Sequence, residues 1–194
     1  MAFHLFQEAR SIKNLTFDAL LPAYFLIERY CACQPDDAAG LHLFALICEG
    51  LGHVTFGENL VSRAIAILEV AYEELEETEV ENQYIIANLT LGRLRLSLGD
   101  YQGAISSFES AMGLLQGENQ NSVENLHYQS CLGSGLAHFM ANELEIAISV
   151  FQEAQTVTNN TLLKGKINVL LAQTMWAAGA DDHKAIAKVQ LLEW

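Results

Sequence analysis

The chain has 194 residues, of which 51% are apolar and 18% charged, with two prolines and thirteen glycines. At roughly 150 residues per domain this is enough chain for a sizeable core, and the composition excludes collagen-like, low-complexity and coiled-coil classes. Ten Lys and Arg against 24 Asp and Glu leave a net charge of −14. That balance repels a phosphate backbone and argues against direct nucleic-acid binding, favouring a basic or helical protein partner instead.

In chain order, Ala2, Phe6 and Ala9 mark a first helix, and Ala23, Ile27 and Tyr30 mark a second that runs from Leu15 to about Cys33 and is ended by Pro35. The apolar run from Ala19 to Ile27 contains Pro22 and falls short of the roughly 20 residues a membrane-spanning helix needs. No membrane association is expected. Cys31 and Cys33, two apart on a helix, point away from each other. With Cys48 and Cys131 they form no C-x-x-C pair, and the opening MAFHLFQEAR lacks the basic-then-apolar order of a signal peptide. Free thiols in a reducing compartment, the cytoplasm or the nucleus, are expected.

The next segments repeat. Residues 89–101 align with residues 132–144 at an offset of 43. In four places a small residue stands seven positions before a turn residue: Ala45 and Gly52, Gly92 and Gly99, Gly135 and Asn142, Ala172 and Gly179. Seven residues is two helical turns, so each pair shares a face. After each turn comes a small–large–small or apolar stripe at i, i+4, i+7: Ala64, Leu68, Ala71; Ala104, Phe108, Ala111; Ala147, Phe151, Ala154; and, more loosely, Ala185, Val189, Leu192. Small residues let two helix backbones approach where they cross, while the large one fills the gap. Gly99-Asp100 and Ala141-Asn142-Glu143 supply helix-stopping and capping residues, so each unit is an antiparallel helical hairpin. The longer interval from Gly52 to Ala64 predicts an inserted loop over His53 to Asn59, and the last unit carries one extra residue around Asp181 to His183.

The pattern G-x6-G-D-Y-x2-A-x3-F-x2-A from Gly92 to Ala111 resembles the tetratricopeptide repeat, a helix–turn–helix unit with a period of about 34. The resemblance implies an all-α fold, a right-handed superhelical solenoid of antiparallel hairpins with about ten helices. The repeats fall at approximately 1–35, 37–78, 82–117, 122–158 and 161–194, in a single solenoid over 1–194. Because the chain stops at Trp194 with its last helix still in apolar phase, a longer parent superhelix is expected, the alternative being a small protein whose exposed end pairs with a partner.

Chemistry-bearing motifs are missing. The sequence has no G-x-x-x-x-G-K-[ST], no G-x-S-x-G and no H-E-x-x-H. His4, His42, His53, His127, His138 and His183 are scattered, His138 reading as a packing residue and His53 and His183 as turn residues. No catalytic, cofactor or metal site is expected, and the chain is read as a non-enzyme. The acidic run of Glu69, Glu73, Glu74, Glu76, Glu77, Glu79 and Glu81 reads as the solvated end of a helix and its exit loop, weakly able to steer a basic partner.

In the repeat family the first helix of each hairpin lines an inner groove, at positions −3, +1 and +4 from the small residue. The resemblance therefore places His42, Leu46 and Glu49 there, then Leu89, Arg93 and Leu96, then Leu132, Leu136 and Phe139, and finally Val169, Gln173 and Trp176. Among these, Leu89, Arg93, Leu96, Leu132, Leu136, Phe139, Gln173 and Trp176 are the expected partner-binding residues. Family members that hold a chaperone's acidic tail use Lys, Asn and Arg at such positions, and only Arg93 answers here. A mostly apolar groove fits an apolar helix or an extended segment, with packing against a neighbouring hairpin as the alternative use of the same side chains. Residues 41–52 and 88–101 are similar to the tetratricopeptide scaffold family of the fungal superkiller complex. That resemblance implies a cytoplasmic scaffold that carries a helicase and WD-repeat proteins for exosome-linked mRNA decay. The alternatives are a peptide-binding adaptor of another complex and a ligand-sensing domain of a regulator, the latter with a pocket near Phe139 and Trp176.

Overall fold

A computed structural model describes residues 1–11, 17–75, 78–115 and 120–179, and every regular element among them is an α-helix. In order these are α1 (Ala2–Ser11), α2 (Phe17–Cys33), α3 (Ala38–Gly50), α4 (Val54–Leu75), α5 (Thr78–Leu98), α6 (Tyr101–Leu115), α7 (Gln120–Met140), α8 (Leu144–Val157) and α9 (Thr161–Ala178). Two compact units hold them, Met1–Leu98 with α1 to α5 and Gly99–Trp194 with α6 to α9. The boundary falls at the Gly99 turn, inside the span 82–117 expected to form one repeat.

The turn residues do what their chemistry requires. Gly52, Gly99 and Gly179 adopt φ of 78°, 81° and 78°, and Asn142 is the one described non-glycine residue in that left-handed region, at 63°. Such a residue lets the chain reverse while the last helical carbonyls are capped. Thus His53 N–H donates to Cys48 O at 2.8 Å, and Glu143 N–H donates to His138 O at 2.9 Å. At helix starts, Asp37 Oδ1 accepts from Ala39 N–H at 3.2 Å, Asp100 Oδ1 from Gly103 N–H at 3.0 Å, and Asn160 Oδ1 from Leu162 N–H at 2.9 Å. Glu143, by contrast, caps α8 with no side-chain bond to its first turn. Its carboxylate is engaged elsewhere.

In the first unit consecutive helices pack on one another, and α3 also touches α5. Its core is built from Leu20, Ala23 and Ile27 of α2, Leu41, Phe44, Ala45 and Cys48 of α3, Val61, Ala64 and Leu68 of α4, and Ala87, Leu91 and Leu94 of α5. In the second unit α6 packs on α7, α7 on α8 and α8 on α9, around Cys131, Ala147, Ile148, Phe151, Ala154, Ile167, Leu171 and Ala172. Small residues allow the close crossings. A Cβ on Gly133 would stand 2.4 Å from the Phe108 ring, and one on Gly135 2.5 Å from the Phe151 ring. Two adjacent helices thus each press a phenylalanine against a side-chain-free patch of α7.

One expectation is corrected. His53 to Asn59 does not form an inserted loop; α4 begins at Val54 and runs 22 residues. Its added first turns find room because Gly57 lies against α3, where a Cβ would come 3.2 Å from Ala45 O. The segment therefore packs as helix. Residues 15 and 16 of the second helix, Glu76 and Glu77 of the acidic run, and the whole of the final predicted helix with Asp181, His183, Ala185, Val189, Leu192 and Trp194 lie outside the described residues. No helix among the described residues is long and apolar enough to cross a membrane.

Candidate functional site

The first unit holds a cavity of about 690 Å³ whose lining comes from all five of its helices. α1 gives Phe3, α2 gives Leu26 and Tyr30, α3 gives His42, Leu43 and Leu46, α4 gives Leu68, and α5 gives Gln83 and Ile86. Phe3, Leu26, Tyr30 and Ile86 are all exposed large apolar or aromatic side chains. A concave, mostly apolar depression with a few polar groups is the usual form of a binding site. His42 and Leu46, placed in a groove by sequence, both line it. Sequence reasoning missed Ile86 and Gln83, although a signal for them existed: Ile86 precedes Arg93 by seven residues and Leu89 by three, so the groove face of α5 extends one turn beyond the positions considered.

His42 is one of the polar groups of this lining. Its Nε2 lies 2.9 Å from Thr90 Oγ1, and the Thr90 hydroxyl itself donates to Ile86 O at 3.0 Å. Thr90 therefore accepts from His42, which assigns the imidazole proton to Nε2. Burial first, and then the Arg93 charge, push the imidazole pKa down to about 4, against an opposing pull from Glu49. The ring is neutral at physiological pH.

Glu49 and Arg93, both placed in the groove by sequence, face one another. Arg93 Nη2 donates to Glu49 Oε2 at 2.8 Å, and Arg93 Nε approaches Oε1 at 3.4 Å. Arg93, the cation among the expected groove positions, is thus already paired with an acidic side chain. Leu89 is buried at 3% exposure, so this expected partner-binding residue belongs to the interior. Leu96 is half-buried on the same helix.

In the second unit Leu132, Leu136 and Phe139 are half-buried and pack against its core. Val169 is half-buried, Gln173 exposed, and Trp176 exposed at 56%. His138 is buried, as expected of a packing residue, but its Nδ1 also bonds Glu143 Oε2 at 2.6 Å. This bond, followed by one from Gln102 Nε2, holds the Glu143 carboxyl below its ordinary range. Of the acidic run, Glu69, Glu73 and Glu79 are exposed.

The thiols differ in their surroundings. Cys33 is exposed, whereas Cys31, Cys48 and Cys131 are buried, and all four are free. Burial pushes the Cys48 and Cys131 thiols up to about 12, leaving them neutral and poor nucleophiles. His127, Cys131 and Glu153 are the group of described residues whose donor atoms converge closely enough to hold a metal ion.

No protein-family model matches the chain. It is 28% identical over 171 residues to superkiller protein 3 of Schizosaccharomyces pombe and 24% identical over 179 residues to superkiller protein 3 of Saccharomyces cerevisiae. These matches cover 88% and 92% of this chain but 12% of each relative. Among solved structures, the nearly identical TPR-like repeats of a Podosopora anserina kinesin light chain superpose with a TM-score of 0.73 at 15% identity, covering 98% of this chain and 89% of that one. The apo form of RapI superposes with a TM-score of 0.77 at 16% identity, covering 98% of this chain and 66% of that one. At these identities the likeness is one of fold, and the chain has the fold of a tetratricopeptide-repeat solenoid.

Proposed function

We propose that this chain is a non-enzymatic protein-interaction scaffold that takes part in assembling a helicase and WD-repeat proteins for cytoplasmic, exosome-linked mRNA decay. The observation that carries this reading is the similarity to superkiller protein 3 of two yeasts along 88% and 92% of the chain. The net charge of −14 is consistent with it, because a scaffold of this kind leaves RNA to its helicase partner. The apolar cavity of the first unit supplies a contact surface, and an acidic chain selects an apolar segment flanked by basic residues. The test is co-elution of the purified full chain with purified superkiller helicase and WD-repeat subunits at moderate salt. A stable complex is expected. Failure to bind either subunit, from a chain that melts cooperatively, would sink the assignment to mRNA decay.

A peptide-binding adaptor of another complex is the second reading, favoured by the cavity of about 690 Å³. It predicts micromolar binding of short basic peptides with an apolar anchor, competed by no superkiller subunit. A ligand-sensing domain has less support, since Phe139, placed by sequence beside its pocket, packs against the core of the second unit.

A further inference from the structure

The geometry points to a zinc-binding site between α7 and α8, formed by His127, Cys131 and Glu153. His127 and Cys131 stand four residues apart on α7 and so share one face, and Glu153 reaches them from α8, which packs against α7. The imidazole nitrogen, thiol sulfur and carboxylate oxygen all lie within 4.8 Å of one another, and His127 Nε2 is 3.3 Å from Glu153 Oε1.

Zinc bonds of about 2.0–2.3 Å place the donors of a tetrahedral site roughly 3.3–3.8 Å apart. The histidine and glutamate already meet that spacing. The remaining closure is at most about 1.5 Å, which side-chain rotation supplies. The donor set is also chemically selective. A thiolate and an imidazole disfavour magnesium and calcium, which take oxygen ligands, and suit zinc. A thiolate, a carboxylate and a neutral imidazole cancel the charge of a divalent ion, so the site is neutral when filled. That balance matters at the sulfur end of the site, since Cys131 is buried and His127 half-buried while Glu153 is exposed.

Cys131 is a neutral thiol before the ion arrives, and its proton leaves to solvent as the Zn–S bond forms. Three protein donors leave a fourth position for water or for a side chain of a bound partner. The ion would clip the α7–α8 hairpin well away from its Asn142 turn, joining helices otherwise held there by core packing and the His127–Glu153 contact.

The test is zinc titration of the untagged full chain by calorimetry and by dialysis with elemental analysis, then repetition with cobalt as a spectroscopic probe. One zinc per chain is expected, with a rise in melting temperature that a chelator reverses, and a sulfur-to-cobalt charge-transfer band. His127→Gln and Glu153→Gln should each weaken binding at least tenfold. Cys131→Ser should abolish the band, and Cys33→Ser should leave binding unchanged. Because Cys131 is a core residue, His127→Gln and Glu153→Gln carry the decision. Unchanged zinc affinity in both, with native helicity, overturns the proposal, as does a chain that retains no zinc at micromolar free metal or binds cobalt without a sulfur band.

Discussion

His42 shows how one side chain couples packing to solution conditions. The unfolded residue takes a proton near its ordinary value of 6.5, whereas the folded one resists until about 4. Between those values the unfolded chain binds more protons, so stability falls as pH falls through that window. The shift sets an upper limit of about 3 kcal/mol for the loss. Denaturant melts between pH 7 and 4 should show this slope, and His42→Gln should flatten it; an unchanged slope would place the titration elsewhere. Glu143 acts in a separate range. Its carboxyl is held below the ordinary value by His138, so its contribution is present above that value and is lost only as pH falls further through its lowered folded pKa. Gly135 gives a second residue-scale test. Its missing Cβ would stand 2.5 Å from the Phe151 ring, so Gly135→Ala should destabilise by about 1–3 kcal/mol, and the smaller ring-free Phe151→Leu should recover part of that loss in the double variant. Additive losses in the cycle would show that the two positions do not meet.

At the scale of the element, periodicity carried most of the information. Every small residue of the seven-residue pattern, from Ala45 to Ala172, is buried, and each paired turn residue has positive φ. The stripe Ala104, Phe108, Ala111 and its counterpart Ala147, Phe151, Ala154 are wholly interior. Both features are local consequences of helix geometry, which makes them legible. The helix over Val54 to Asn59 was not legible because the interval from Gly52 to Ala64 is longer than its counterpart from Gly99 to Ala104 and so reads as an insertion, while the use of Gly57 as a flat contact against Ala45 depends on a separate helix. The same limit applies to the groove. His42 and Leu46 line the cavity, but Leu89 is interior and Leu132, Leu136 and Phe139 pack on a core, since a repeat frame specifies a face and only tertiary packing specifies what covers it. Ala147→Leu should therefore overpack the hairpin crossing and cost about 1–3 kcal/mol, read as a lower denaturation midpoint with unchanged slope. Asn160→Ala tests the α9 cap, whose side chain serves both Leu162 and Leu163, and should cost about 1 kcal/mol.

For the whole molecule, charge and apolar surface set the character of a partner. A net charge of −14 accelerates encounter with basic surfaces and does so less as salt rises, whereas an apolar anchor seated in the cavity of about 690 Å³ is little affected by salt. The two contributions are separable by experiment. Ile86 lines the cavity and is 39% exposed, so Ile86→Glu should leave the melting temperature nearly unchanged while introducing a charge where an apolar side chain must dock. Affinity for the partner should fall at least tenfold, mainly through faster dissociation. Raising salt should instead slow association of the unaltered chain and leave its dissociation rate nearly constant. If Ile86→Glu binds as well as the parent chain, the partner engages another surface and the cavity is not the contact, whatever the identity of that partner.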